Sequence, residues 1–105
     1  MLEQIIKCIQ EEDYFYTWHA RHEMETEVLG EIRDDEMVEA TLAGKIIENY
    51  PEDEPYPSCL IYGKTSRGRP LHTVCAYADD IKKVIIITAY EPSPDRWIDF
   101  ERRRE

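Results

Sequence analysis

A chain of 105 residues, 42% hydrophobic and 34% charged, is long enough for one small packed core and too apolar for a disordered segment. Its formal net charge of −10 excludes a general nucleic-acid binder, yet the charge is uneven: residues 1–56 hold 4 Lys and Arg against 16 Asp and Glu, residues 57–105 hold 9 against 7. Three cysteines without CxxC spacing (Cys8, Cys59, Cys75) exclude a disulfide framework and a zinc knuckle. No run approaches the roughly 20 apolar residues of a membrane span, and no basic, cleavable leader opens the chain, which points to a cytoplasmic protein.

Leu2, Ile5, Ile6 and Ile9 recur at i, i+3, i+4 and i+7, predicting an amphipathic helix over 2–12 that ends in the acidic run Glu11, Glu12, Asp13. Tyr14, Phe15, Tyr16 and Trp18 read as an aromatic packing joint. The alternative, a base-stacking platform, is disfavoured by the negative charge around it. Thr17 is the predicted N-cap of a second helix, 18–29, with Ala20, Met24 and Val28 facing inward and Gly30 ending it. Asp34 or Asp35 caps a third helix, 34–43, with Gly44 as its stop.

From Lys45 the pattern changes to strand. The predicted strands are 45–50, 58–64, 70–78 and 82–91, separated by the three prolines of PEDEPYP, by the turn TSRGRP and by Asp79-Asp80. The last strand is apolar on both faces, as in a strand covered on both sides. Pro92 and Pro94 stop the sheet, Trp97 and Phe100 dock a short terminal turn, and ERRRE is solvated. Helices followed by strands with short connections give a single α+β domain over 1–105, with two to three N-terminal helices on a four-stranded antiparallel sheet.

Several short stretches together resemble a bacterial family known as domain of unknown function 4258: Thr17-Trp18-His19-Ala20 with Met24 one turn on, Gly44 to Pro51 (GKIIENYP), Tyr56 to Leu60 (YPSCL), Gly68 to Val74 (GRPLHTV), and Ile87 to Tyr90 (ITAY) before Trp97. The resemblance implies the fold of RelE and barnase-like ribonucleases, and a toxin paired with an antitoxin protein, with RNA rather than DNA as substrate. The chain departs from the family pattern at Glu23, where many relatives carry Arg before the Met of the second helix.

Metal-free RNA cleavage, which the resemblance implies, needs a base for the 2′-OH proton, an acid for the leaving oxygen and donors for the phosphorane charge. His19, His72, Thr88 and Tyr90 are the candidate catalytic groups, and Arg67 and Arg69 the candidate phosphate clamp. Each has a plainer reading: His19 as a helix first-turn residue, His72 as a satisfied strand histidine, Thr88 and Tyr90 as β-formers with partnered hydroxyls, and the arginines as a solvated turn. The expected hairpin loop is three residues, 79–81, which sets His72 opposite Thr88; a two-residue turn would send His72 to the other face. His19, His22 and Glu23 at i, i+3 and i+4 could reach one metal ion, but the spacing is not HExxH, and neither metal nor cofactor is assigned. The other class of function is a non-enzymatic interaction module whose acidic helical half recruits a basic partner.

Overall fold

Alternation along the strands builds a sheet with two covered faces, and the computed structural model describes it over residues 1–105. The elements are α1 (Leu2–Gln10), β1 (Tyr14–Tyr16), α2 (Trp18–Glu25), α3 (Asp34–Leu42), β2 (Lys45–Tyr50), β3 (Ser58–Lys64), β4 (Pro70–Ala78), β5 (Lys83–Tyr90), β6 (Trp97–Ile98) and β7 (Arg102–Arg103). The fold is mixed α+β, with three helices and a main sheet of five strands in the order β1-β5-β4-β3-β2. This corrects the expectation of four antiparallel strands. The tyrosines read as a packing joint form β1, which runs parallel to β5 at the sheet edge, while every other pairing in the main sheet is antiparallel. Strands β6 and β7 pair separately as a small ribbon.

One face of the sheet carries Cys59, Ile61, Leu71, Cys75, Val84, Ile86 and Ala89, buried against Ile5 and Ile9 of α1, Ala20 and Met24 of α2, and Met37 and Ala40 of α3. The alternate residues of the central strands, Leu60 and Tyr62 on β3, His72 and Val74 on β4, and Thr88 and Tyr90 on β5, point to the other face. That face has no helix. The terminal segment covers part of it, with the rings of Trp97 and Tyr62 edge-on to His72 and Phe100 beside Tyr62.

Two helices are shorter than their periodicity suggests. Helix α1 stops at Gln10, and Glu12, just beyond it, has left-handed backbone with φ 62°. Helix α2 keeps its Thr17 cap, whose hydroxyl accepts from the Ala20 N–H at 3.0 Å, but ends at Glu25, where the Thr26 hydroxyl donates to the His22 carbonyl at 2.7 Å. Val28 therefore never reaches the core and is 92% exposed, and Ile32 is buried beyond the helix. Trp18 is likewise 79% exposed rather than part of a packing joint. The N-cap of α3 is Arg33, not Asp34 or Asp35; its N–H donates to the Glu36 carboxylate at 3.0 Å.

Two glycines set the distance between α3 and the sheet. A Cβ on Gly63 would lie 1.8 Å from the Ala40 carbonyl oxygen, and one on Gly44 would lie 2.5 Å from a methyl of Ile61. Gly44 thus serves close packing rather than a left-handed helix stop. Because the atom opposing Gly63 is helix backbone, Gly63→Ala must push α3 off β3, and we expect it to cost at least about 2 kcal/mol in urea unfolding. Wild-type stability in that variant would refute the close contact.

Candidate functional site

The hairpin that carries His72 and Tyr90 has a register that neither short turn produces. Its loop is four residues, Asp79 to Lys82, with Ala78 paired to Lys83 and Lys82 in left-handed backbone at φ 54°. Continued regularly, that register would set His72 opposite Ala89 and send Thr88 to the helix face. A β-bulge at Ile87 adds one residue to β5, so that Val74 pairs with Thr88 and His72 with Tyr90. The expected pairing of His72 with Thr88 is therefore incorrect, although the bulge does bring His72, Thr88 and Tyr90 to one face.

His72 is wholly buried. Its Nε2 lies 2.6 Å from the Phe100 carbonyl oxygen, which can only accept, so Nε2 carries the proton and Nδ1 accepts from the Tyr90 hydroxyl at 3.1 Å. Phe100 has left-handed backbone (φ 63°) at the point where its carbonyl receives this bond. Burial lowers the His72 pKa, with the Phe100 carbonyl opposing the shift, and burial pushes Tyr90 up to about 12. The ring is shielded from solvent, with both nitrogens bonded within the chain. It orients Tyr90.

Tyr90 lies in the floor of a cleft of about 820 Å³. Glu23, Glu27 and Glu91 also line the cleft, as do Arg96, Arg103 and Arg104 of the terminal segment. Arg103 lies over the Trp97 ring, with 4.7 Å from guanidinium carbon to centroid, and donates to Glu48 at 2.8 and 3.1 Å. That bond holds the Glu48 carboxyl below its ordinary range, and the Tyr50 hydroxyl also donates to Glu48. The Arg104 Nε donates to the Pro94 carbonyl, whereas the Arg96 guanidinium has no partner within the chain.

Carboxylates of α2 and of the turn that follows it close the other side. Glu23 accepts from the Ala89 N–H and Glu27 from the Glu91 N–H, each at 3.0 Å, continuing the edge of β5 past the end of β1. Burial raises the Glu23 pKa, while the Ala89 N–H and His19 oppose the rise. His19 is 67% exposed, its Nε2 3.9 Å from Glu23 Oε1. Glu23 therefore connects His19 on the helix to the cleft that holds Tyr90.

The other expected residues lie elsewhere. Thr88 is half-buried on the helix-free face and does not line the cleft. Arg67 lines a separate polar recess with Arg33, Asp35 and Glu39. Arg69 is not a free clamp: it donates to Glu91 at 2.6 Å, to Glu36 at 3.2 Å and to the carbonyls of Gly30 and Glu31. Burial alone would raise Glu36, but its bonds to the Arg33 N–H and Arg69 outweigh burial and hold it below its ordinary range. His22 stacks on Trp18, with ring centroids 5.0 Å apart, and no group of three or more His, Cys, Asp or Glu has the geometry to hold a metal ion.

Sequence reading missed Glu23 as a ladder acceptor and Arg96, Arg103 and Arg104 as cleft residues. The triple-arginine run was a visible signal; its spatial neighbour was not.

Two outcomes follow from these contacts. Arg69→Met leaves the mostly buried Glu91 carboxylate without its cation and Glu36 with only its Arg33 contacts, and the expected loss is about 2–3 kcal/mol in urea unfolding, below the cost of a fully buried pair because all three groups retain some solvent. For His72, the unfolded chain takes up its proton near pH 6.5 while the folded chain resists it, so stability falls as pH drops from about 6.5 through the lowered folded value. Urea midpoints between pH 8 and 5 should show this loss, and His72→Gln should remove that part of the slope. An unchanged slope in the variant would assign it to other groups.

No helix is long and apolar enough to cross a membrane. No curated protein and no solved structure matches the chain. A family model does match over residues 16–91, from the end of β1 to the residue after β5, and includes His19, Glu23, His72 and Tyr90 while ending before Arg96. On that match, the chain belongs to the family described as domain of unknown function (DUF4258).

Proposed function

We propose that the chain is a ribonuclease-like toxin of a toxin–antitoxin pair, related in fold to RelE and barnase-like nucleases, that cleaves RNA without a metal. The observation that carries this reading is the His19–Glu23 pair beside a cleft that contains the Tyr90 hydroxyl and three guanidiniums. His19 takes the 2′-OH proton, with Glu23 orienting the ring and stabilising the imidazolium. The 2′-oxygen attacks phosphorus, Arg96 and Arg104 carry the charge that develops, and the 5′-oxygen leaves with a proton from solvent, giving a 2′,3′-cyclic phosphate. Imidazolium then returns its proton to water. The Tyr90 hydroxyl donates to His72 and so keeps its lone pairs to accept from the substrate. The antitoxin protein is the partner, and no DNA or membrane is involved.

A second reading, the interaction module without activity toward RNA, is favoured by the exposed Val28 and Leu29 at the cleft and by the acidic excess of residues 1–56. The two separate cleanly. Purified protein in EDTA at low salt is expected to cleave RNA to cyclic-phosphate ends, with His19→Ala slower by about 100-fold or more. Induced expression should arrest growth, and the same substitution should relieve it. Intact RNA together with normal growth would replace this reading by the interaction module.

A further inference from the structure

The aromatic residues before and at the start of α2 form a second cavity of about 700 Å³, lined by Glu12, Tyr14, Phe15, Tyr16, Trp18 and Arg21. Burying none of Trp18 in the core is costly for so large an apolar ring, so its exposure calls for an explanation. Its indole lies within 5° of parallel to the His22 ring, which covers one face and leaves the other to solvent. Tyr14 and Tyr16 both donate their hydroxyls to Asp34, which fixes the rings edge to face. Arg21 lies over Tyr16, 4.1 Å from guanidinium carbon to ring centroid. The result is a set of flat surfaces held in place before any ligand arrives.

We propose that this shelf is a nucleobase-stacking subsite for single-stranded RNA, with a base on the open face of Trp18 and Arg21 meeting the adjoining phosphate. Three features select a base over an apolar protein segment. A prealigned indole–imidazole stack suits a planar ligand; the cavity supplies a cation for phosphate; and Glu12, whose carboxylate has no partner within the chain, accepts from the amino groups of adenine, cytosine or guanine. Trp18 and His19 are consecutive in the first turn of α2, so one stretch of helix carries both the shelf and the proposed base. The inference rests on the ribonuclease reading for the identity of the polymer, and it adds where the strand is held and by what force. Stacking is less salt-sensitive than phosphate contact, which is how an acidic chain retains a strand.

The test separates holding from cutting. The chain has two tryptophans, Trp18 exposed and Trp97 only 4% exposed at the wall of the first cleft, so the part of the tryptophan quenching that Trp18→Phe removes reports on Trp18. A 2′-O-methyl oligonucleotide, which has no 2′-OH to cleave, should quench the Trp18 emission on binding. Trp18→Ala should weaken binding by about 10- to 100-fold, with anisotropy of a labelled oligonucleotide as the readout; Trp18→Phe should restore most of it. Because the ring is outside the core, Trp18→Ala should keep the wild-type melting curve. Oligo-A, -C and -G should bind more tightly than oligo-U. Affinity unchanged by Trp18→Ala while RNA is still cleaved overturns the subsite and leaves the ribonuclease reading standing. Trp18-dependent binding without cleavage keeps the subsite and removes that reading. A protein that ignores the oligonucleotide and self-associates through Trp18 overturns the subsite in favour of a protein contact.

Discussion

The outer edge of β5 is the constraint on which the arrangement depends. This strand is apolar on both faces, and a bare row of N–H and C=O groups along it would be an open template for another chain. β1 covers the edge only as far as Ile86, where the Thr17 N–H meets the Ile86 carbonyl. The bulge at Ile87 then shifts which groups point outward, so the next exposed positions are the carbonyl of Ile87 and the N–H groups of Ala89 and Glu91. Thr17, Glu23 and Glu27 satisfy them in turn. Helix α2 is in effect a side-chain continuation of β1. That requirement fixes where His19 stands.

Glu23 shows how a structural need shapes the site. An arginine there has no acceptor to offer the Ala89 N–H, so in this chain the carboxylate completes the ladder. Its partial burial leaves it near enough to His19 and to Tyr90 to influence both. The cleft has Glu23, Glu27 and Glu91 on one wall, and on the terminal segment Arg96, Arg103 and Arg104 interspersed with Asp95 and Glu105.

Much of the fold was legible because local signals and tertiary structure agree. The alternation of β3 and β4, the Thr17 cap and the inward Ala20 and Met24 all follow from short-range rules. The misses share a cause, which is that a long-range partner decides the outcome. Tyr14 to Tyr16 become a strand only because β5 offers its edge, and three residues carry too short a pattern to announce it. Residues Glu25 to Leu29 continue a helical pattern that Thr26 interrupts. The bulge at Ile87 has no glycine to mark it. Among the candidate residues, His72 and Tyr90 stand out in the sequence by their polarity within an apolar hairpin. What polarity could not show was that the two satisfy each other, or that Arg69 satisfies Glu36 and Glu91.

The terminal segment joins these two levels. A sheet with helices on one face leaves His72 and its neighbours on the other, and a buried imidazole needs a carbonyl for its N–H. Phe100 supplies the carbonyl, and Trp97 supplies the apolar cover. Trp97 and Arg103 are paired residues of the β6–β7 ribbon, so bringing the ring onto His72 also brings the guanidinium to Glu48. Arg103 is thereby committed to holding the cover in place. Arg96 and Arg104 are joined by the bond from the Arg104 N–H to the Arg96 carbonyl and keep their charge toward the cleft. Covering the sheet and charging the cleft are therefore one event, in which burial of an indole positions the cations of the terminal segment.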